Sequence, residues 1–298
     1  MSRTSLNHGA GRLVPVLTLF AGATVWGLIW YPYRLIETAG ISGVIATTLT
    51  YGVAMILGLP LFFAKLREAR IDGWLLAIAF SSALCNIGYV LAILQGEVMR
   101  VLLLFYLAPL WTVLLARPLL GERLRPTGAV VVTLSLAGAI VMLWRPELGA
   151  PWPRQAAEWL GLAAGFLFAL SNVLIRRAHH YPVEVKSMAV FAGVLLVGCG
   201  YALLAGPMAM PVATAGTWGL VLGVGVILLA INPIVQYGLE RVPAGRAVVI
   251  FLFELVVAAF ASWWLAGELM GPHEWLGGAM IIAASLLSAK LEALDVSS

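Results

Sequence analysis

Glu254 is a carboxylate in the middle of a long apolar run, where a charge is expensive and needs a reason. Two readings fit it. It can carry a coupled proton or contact a substrate amine, or it can be a carboxylate hydrogen-bonded to neighbouring helices. Asn86, Asn172, Asn232 and Gln236 are the other polar residues inside apolar runs, and Arg100 and Arg246 stand at run edges. On a helix, Asn86 and Tyr89 share one face, as do Asn232 and Gln236. Such stripes either line an aqueous cavity or make interhelical hydrogen bonds of about 0.6–2 kcal/mol each. Trp26, Trp30, Tyr106, Trp111 and Phe168 also lie deep in apolar runs. Together they suit a ring-lined cavity for aromatic or apolar solutes; singly, each also fits packing against lipid.

Pro109 and Pro233 lie inside such runs and each removes a backbone hydrogen bond, giving a hinge or a static bend. Arg100 and Arg246 read either as gates, through ion pairs with groups such as Glu97 or Glu240, or as interfacial anchors. No stretch pairs a nucleophile with a base, clusters metal ligands or forms a phosphate-binding glycine loop, so neither a catalytic site nor a metal or other cofactor is expected. His179-His180 reads as a solvated turn. Cys85 and Cys199 lie in separate apolar runs and support no disulfide framework.

The elements that hold these residues follow from composition. Apolar residues make up 62% of the chain and charged residues 11%, against about a quarter charged in soluble domains. Mean hydropathy is +0.98. The bilayer must therefore be the solvent for most of the chain. The net charge of +4 is spread over short loops, which argues against nucleic acid. Apolar runs predict ten transmembrane helices near 14–33, 42–63, 74–94, 98–116, 127–144, 157–175, 187–205, 216–237, 245–265 and 274–291. Arg12 and the run from Val14 to Ala23 imitate a signal peptide, but the run continues through Trp26 to Tyr33, so retention as the first span is expected.

A pattern also recurs 146 residues apart: Asn86, Arg100 and Gly121-Glu122 return as Asn232, Arg246 and Gly267-Glu268, with Phe105 and Phe251 in register. The expected organisation is a first five-helix repeat at 14–144, a proline-bearing linker at 145–156 and a second repeat at 157–291. Five spans per repeat invert the second copy in the membrane. With the N-terminus inside, 14 of the 18 Lys and Arg fall on the cytoplasmic side, which favours cytoplasmic termini. The repeat is broken at Glu254, whose counterpart is Ala108, and at Pro109, whose counterpart is Leu255.

Leu107-Ala-Pro-Leu followed by Leu119-Leu-Gly-Glu-Arg-Leu resembles the fourth-span signature of the drug/metabolite transporter superfamily, EamA type. Phe253-Glu-Leu-Val through Leu265-Ala-Gly-Glu-Leu is similar, as are Trp26-Gly27 with Arg34, and Phe168 with Arg176-Arg177. The family's Glu-Pro pair is split here between Pro109 and Glu254. The resemblance implies two inverted five-helix repeats around a cavity lined by spans 1–4 and 6–9, with the fifth and tenth spans peripheral. It also implies export of amino acids or related metabolites, and the aromatic content is similar to the aromatic-amino-acid exporters of YddG type. The expectation is a secondary transporter of the inner (plasma) membrane that works by alternating access. Its partners are then the bilayer, a small-molecule substrate and, on one reading of Glu254, protons. An intramembrane enzyme acting on a lipid-like substrate, or an exporter of drugs or other metabolites, is the alternative.

Overall fold

The computed structural model describes residues 4–96, 98–144, 152–204, 214–266 and 271–295. Every regular element among them is an α-helix: α1 (Thr4–Thr38), α2 (Gly43–Glu68), α3 (Gly73–Gln95), α4 (Val98–Phe105), α5 (Ala108–Leu120), α6 (Pro126–Leu143), α7 (Ala156–Arg177), α8 (Val183–Leu204), α9 (Ala215–Arg241), α10 (Ala244–Phe251), α11 (Phe253–Ala266) and α12 (Pro272–Asp295). Helix is the only way for these open segments to satisfy their own backbone groups in lipid. Nine membrane-length apolar stretches lie among the described residues, and α12 covers the tenth expected span. Gly267-Glu268, Glu97 and most of the 145–156 linker fall outside the described residues.

The fourth and ninth spans are each two helices, interrupted at Tyr106-Leu107 and at Leu252. Pro109 explains the first break, because it stands in the first turn of α5, where a missing N–H costs nothing. The second break has no proline and falls at the repeat-equivalent position. Pro233, by contrast, does not interrupt α9, which continues past it to Arg241.

Helices from the two halves of the chain pack against each other more than within their own half. α3 lies on α7 and α8, α1 on α9 and α11, α2 on α8 and α9, and α6 on α12. Close approach needs small residues. Gly161 and Gly165, one turn apart on α7, seat the backbone of Val101 and Phe105; a Cβ on Gly165 would lie 3.0 Å from both C and Cα of Phe105. At the end of α5, Gly121 adopts φ +71, a left-handed conformation that glycine takes without strain. Its N–H bonds Arg117 O at 3.1 Å and that of Glu122 bonds Ala116 O at 3.3 Å, which turns the chain and aims Glu122 across the bundle.

Candidate functional site

The two breaks meet. Tyr106, at the first, hydrogen-bonds the carboxylate of Glu254, in the first turn of α11 after the second. Glu254 stands in the first turn of α11, where the positive end of a helix favours a carboxylate by roughly 0.3–1 kcal/mol. Cys85 and Tyr89, from α3, lie within electrostatic range of Glu254. Tyr106 is buried and Glu254 half-buried. The site thus draws on α3, the break between α4 and α5, and α11, from both halves of the chain.

An aromatic layer adjoins it. Phe168 of α7 packs edge-on against Phe251 and tilted against Phe105, each at 5.6 Å, and Tyr89 lies 4.8 Å from Phe105. The repeat-equivalent Phe105 and Phe251 therefore both touch one ring. One turn further along α7 is Asn172, and one more turn gives Arg176, whose guanidinium donates to Leu239 O at 3.3 Å and Glu240 O at 2.8 Å on α9. Gln236 stands one turn back from Glu240, at the same depth as Asn172. Asn172 Nδ2 and both amide atoms of Gln236 are buried with no hydrogen-bond partner among the described residues. Orphaned groups of this kind cost about 1–3 kcal/mol each, so a polar ligand or water at this depth has groups to satisfy.

Ion pairs between the halves stand at both ends of the bundle. At one end Glu122 accepts from Arg176 Nε at 2.5 Å and from the N–H of Ala244 at 2.9 Å, capping α10. Glu240 pairs beside it with Lys186. At the other end Arg100 donates twice to Glu158, at 2.7 and 3.0 Å, and once to Trp152 O at 3.0 Å. Both members of this pair are buried. Removing one partner strands a buried charge at a cost on the order of 3–5 kcal/mol. Glu158→Ala is therefore expected to lower unfolding stability by about that amount, read from thermal unfolding in detergent, with Glu158→Gln losing less. Equal stability of wild type and Glu158→Ala would remove the pair from the framework.

The asparagines of the two polar stripes bond alike. Asn86 Nδ2 donates to Ser82 O at 2.8 Å, and Asn232 Nδ2 donates to Leu228 O at 3.0 Å. Both repeat-equivalent asparagines thus bond back into their own helix. Asn86 Oδ1 additionally accepts from Tyr51 Oη at 3.0 Å.

A family model described as the EamA-like transporter family matches residues 13–144 and again 155–289. The chain belongs to this family. An uncharacterized transporter of Archaeoglobus fulgidus is 28% identical over 223 residues, covering 74% of this chain and 77% of that protein. Protein RarD of Streptomyces exfoliatus is 27% identical over 288 residues, covering 90% and 85%. The uncharacterized transporter YojE of Bacillus subtilis is 23% identical over 231 residues, covering 74% of each. A solved crystal structure superposes with a TM-score of 0.74 at 19% identity, over 93% of this chain and 98% of that one, which establishes a shared fold. The protein is thus a multi-pass membrane protein of a family that transports small solutes.

Among the residues singled out from sequence, Tyr89, Tyr106 and Glu254 come together, and Phe168 joins the adjoining ring layer. Trp111 instead packs edge-on against Phe166 at 5.7 Å, and Trp30 against Tyr31 at 5.6 Å; both indole N–H groups are buried without a partner among the described residues. Trp26 is half-buried against the core near α1. Arg100 is buried and pairs with Glu158, whereas Glu240 serves Lys186 and Arg241. Arg246 lines a cavity at the opposite end of the bundle. Sequence reading missed Cys85, Glu122, Glu158 and Arg176 as site or framework residues. The recurrence of Gly-Glu was the one signal that pointed at Glu122.

Proposed function

We propose that the protein exports small organic solutes, namely amino acids with aromatic or apolar side chains or related metabolites, by alternating access around the Tyr106–Glu254 centre. The observation that carries this reading is the meeting of two interrupted helices at a hydrogen-bonded carboxylate in mid-membrane. Interrupted helices of this kind direct helix ends at substrates and coupling ions in transporters. A carboxylate there suits a substrate ammonium or an exchangeable proton. The layer of Phe105, Phe168 and Phe251 offers ring faces for an apolar side chain. The unpartnered amides of Asn172 and Gln236 offer donors and an acceptor to the polar end of a solute.

The double family match and the mutual packing of the two halves support an inverted five-helix repeat. The charge bias supports cytoplasmic termini in the plasma membrane. Rocking the halves would release Glu122 from Arg176 at one end, or Arg100 from Glu158 at the other, opening the centre to one side at a time. The test is an uptake screen in liposomes with labelled amino acids, with and without a pH gradient. Accumulation of aromatic or large apolar amino acids above protein-free liposomes supports the reading. Uptake confined to other solutes would overturn the substrate class.

A further inference from the structure

Between the ring layer and the Arg176 end of the bundle, three buried side-chain atoms have no hydrogen-bond partner among the described residues. They are Asn172 Nδ2, Gln236 Nε2 and Gln236 Oε1. Gln236 is only 2% exposed. Burying an amide unpaired is unfavourable, so such a group calls for an explanation beyond packing. Leucine would fill a similar space without leaving polar atoms unmet. Phe168, Asn172 and Arg176 recur every four residues on α7 and share one face. Along that face Phe168 touches Phe251 of α10, and Arg176 donates to Glu240 O of α9 at 2.8 Å; Asn172 lies between them. On α9, Glu240 pairs with Lys186, which also donates to Ile175 O of α7 at 3.3 Å. The face of α9 that carries Gln236, one turn before Glu240, is therefore turned toward α7 and α8. Asn172 and Gln236 thus stand at one depth, behind the Glu122–Arg176 and Lys186–Glu240 pairs.

The unmet atoms specify a ligand. Two amide NH2 groups need acceptors, and one carbonyl oxygen needs a donor. A carboxylate beside an ammonium supplies both, and that is the head of an α-amino acid. An amine alone leaves the two donors unmet, and a carboxylate alone leaves the carbonyl unmet. From Phe168 to Asn172 the helix rises about 6 Å. That is comparable to the reach of a large side chain, so a head at the amides lays its side chain on the ring layer. Glu254 lies beyond that layer. α10 starts at the Glu122 cap and reaches Phe251, and α11 then carries Glu254 further from the ion pairs. One head therefore does not span the amides and the carboxylate together.

We propose that Asn172 and Gln236 bind the zwitterionic head of an α-amino acid whose side chain lies against Phe168. This placement rests on the transport function proposed for the chain and fixes which end of the solute meets which residues. The head reaches the amides when the neighbouring ion pairs part. Glu254, on the other side of the rings, is left to carry an exchangeable proton.

The test uses the purified full chain in detergent. Phenylalanine, phenethylamine and 3-phenylpropionate each compete with labelled phenylalanine, a comparison that needs no variant. Phenylalanine is expected to bind at least tenfold more tightly than the solutes lacking the carboxylate or the ammonium. Gln236→Leu and Asn172→Leu are each expected to weaken phenylalanine binding at least tenfold. Their thermal unfolding midpoints without solute are expected to equal or exceed that of the unmodified chain, because leucine buries no unmet polar atom. A lowered midpoint in both variants would assign the amides to the helix framework and overturn the site. Equal binding of phenylalanine and phenethylamine, or of phenylalanine and 3-phenylpropionate, would overturn the zwitterionic head. Unweakened phenylalanine binding in both variants would overturn the placement and leave the transport function standing. Binding of neither phenylalanine, tryptophan nor leucine to the unmodified chain would overturn the substrate class and the placement together.

Discussion

Glu254→Gln is expected to reduce proton-driven transport at least tenfold while leaving the protein folded and inserted. Glutamine keeps the size of the side chain, and its amide oxygen still accepts from the Tyr106 hydroxyl. What it loses is the ability to take up and release a proton, and the charge that a substrate ammonium would meet. If the carboxylate couples a proton, the gradient-driven component disappears and exchange without a gradient persists. If it binds a substrate ammonium instead, both fall together, because the lost ion pair weakens binding itself. Tyr106→Phe removes only the hydrogen bond and is expected to cost about 1 kcal/mol, a several-fold weakening. An unchanged rate and unchanged pH dependence in Glu254→Gln would remove the carboxylate from both roles.

Gly165→Val carries the second large effect. A Cβ at position 165 would stand 3.0 Å from the C and Cα of Phe105, closer still to its carbonyl oxygen. These are backbone atoms, so no rotamer change relieves the contact and α7 must move away from α4. Overpacking of this kind costs about 1–3 kcal/mol, and a β-branched side chain belongs at the upper end. The functional loss should exceed the loss of stability. Phe105 is the last residue of α4, directly before Tyr106, and Phe168 is three residues along α7 from Gly165. Shifting the helix pair therefore displaces the ring layer and the partner of Glu254 together. Gly165→Ala is expected to be milder in both respects. Thermal unfolding and uptake measured on the same preparations separate the two effects. Wild-type uptake in Gly165→Val would show that the close approach does not position the site.

The sequence made the spans readable because lipid forces long apolar helices, and their lengths follow from bilayer thickness. It also singled out Glu254, because a lone carboxylate within an apolar run is too costly to carry without a role. Its partner Tyr106 was visible only as one deep aromatic among several. Their pairing spans 148 residues and depends on two helix breaks coming together. The break at Tyr106-Leu107 was legible from Pro109. The break at Leu252 was not, since no residue there forbids a helix and tertiary packing sets it. The repeat pointed to Asn86 and Asn232 as equivalent, and both do bond back to the carbonyl four residues earlier. The ion pairs escaped for the same reason as the Tyr106 contact. Arg100 and Glu158 are 58 residues apart, and Glu122 and Arg176 are 54 apart, with no local pattern linking them. Glu122 registered only as half of a recurring Gly-Glu. The structure separates the two parts of that motif: Gly121 supplies a left-handed turn, and Glu122 an ion pair that joins the halves.

Substrate counterflow in proteoliposomes tests the central claim most directly. Vesicles are loaded with unlabelled phenylalanine at high concentration and diluted into trace labelled phenylalanine, with no pH gradient. A carrier whose single centre alternates between the two sides predicts a transient accumulation of label above its outside concentration, absent in protein-free vesicles and strongly reduced in Gly165→Val. Label that only equilibrates with no overshoot, or that is chemically converted, would contradict alternating access around Tyr106 and Glu254.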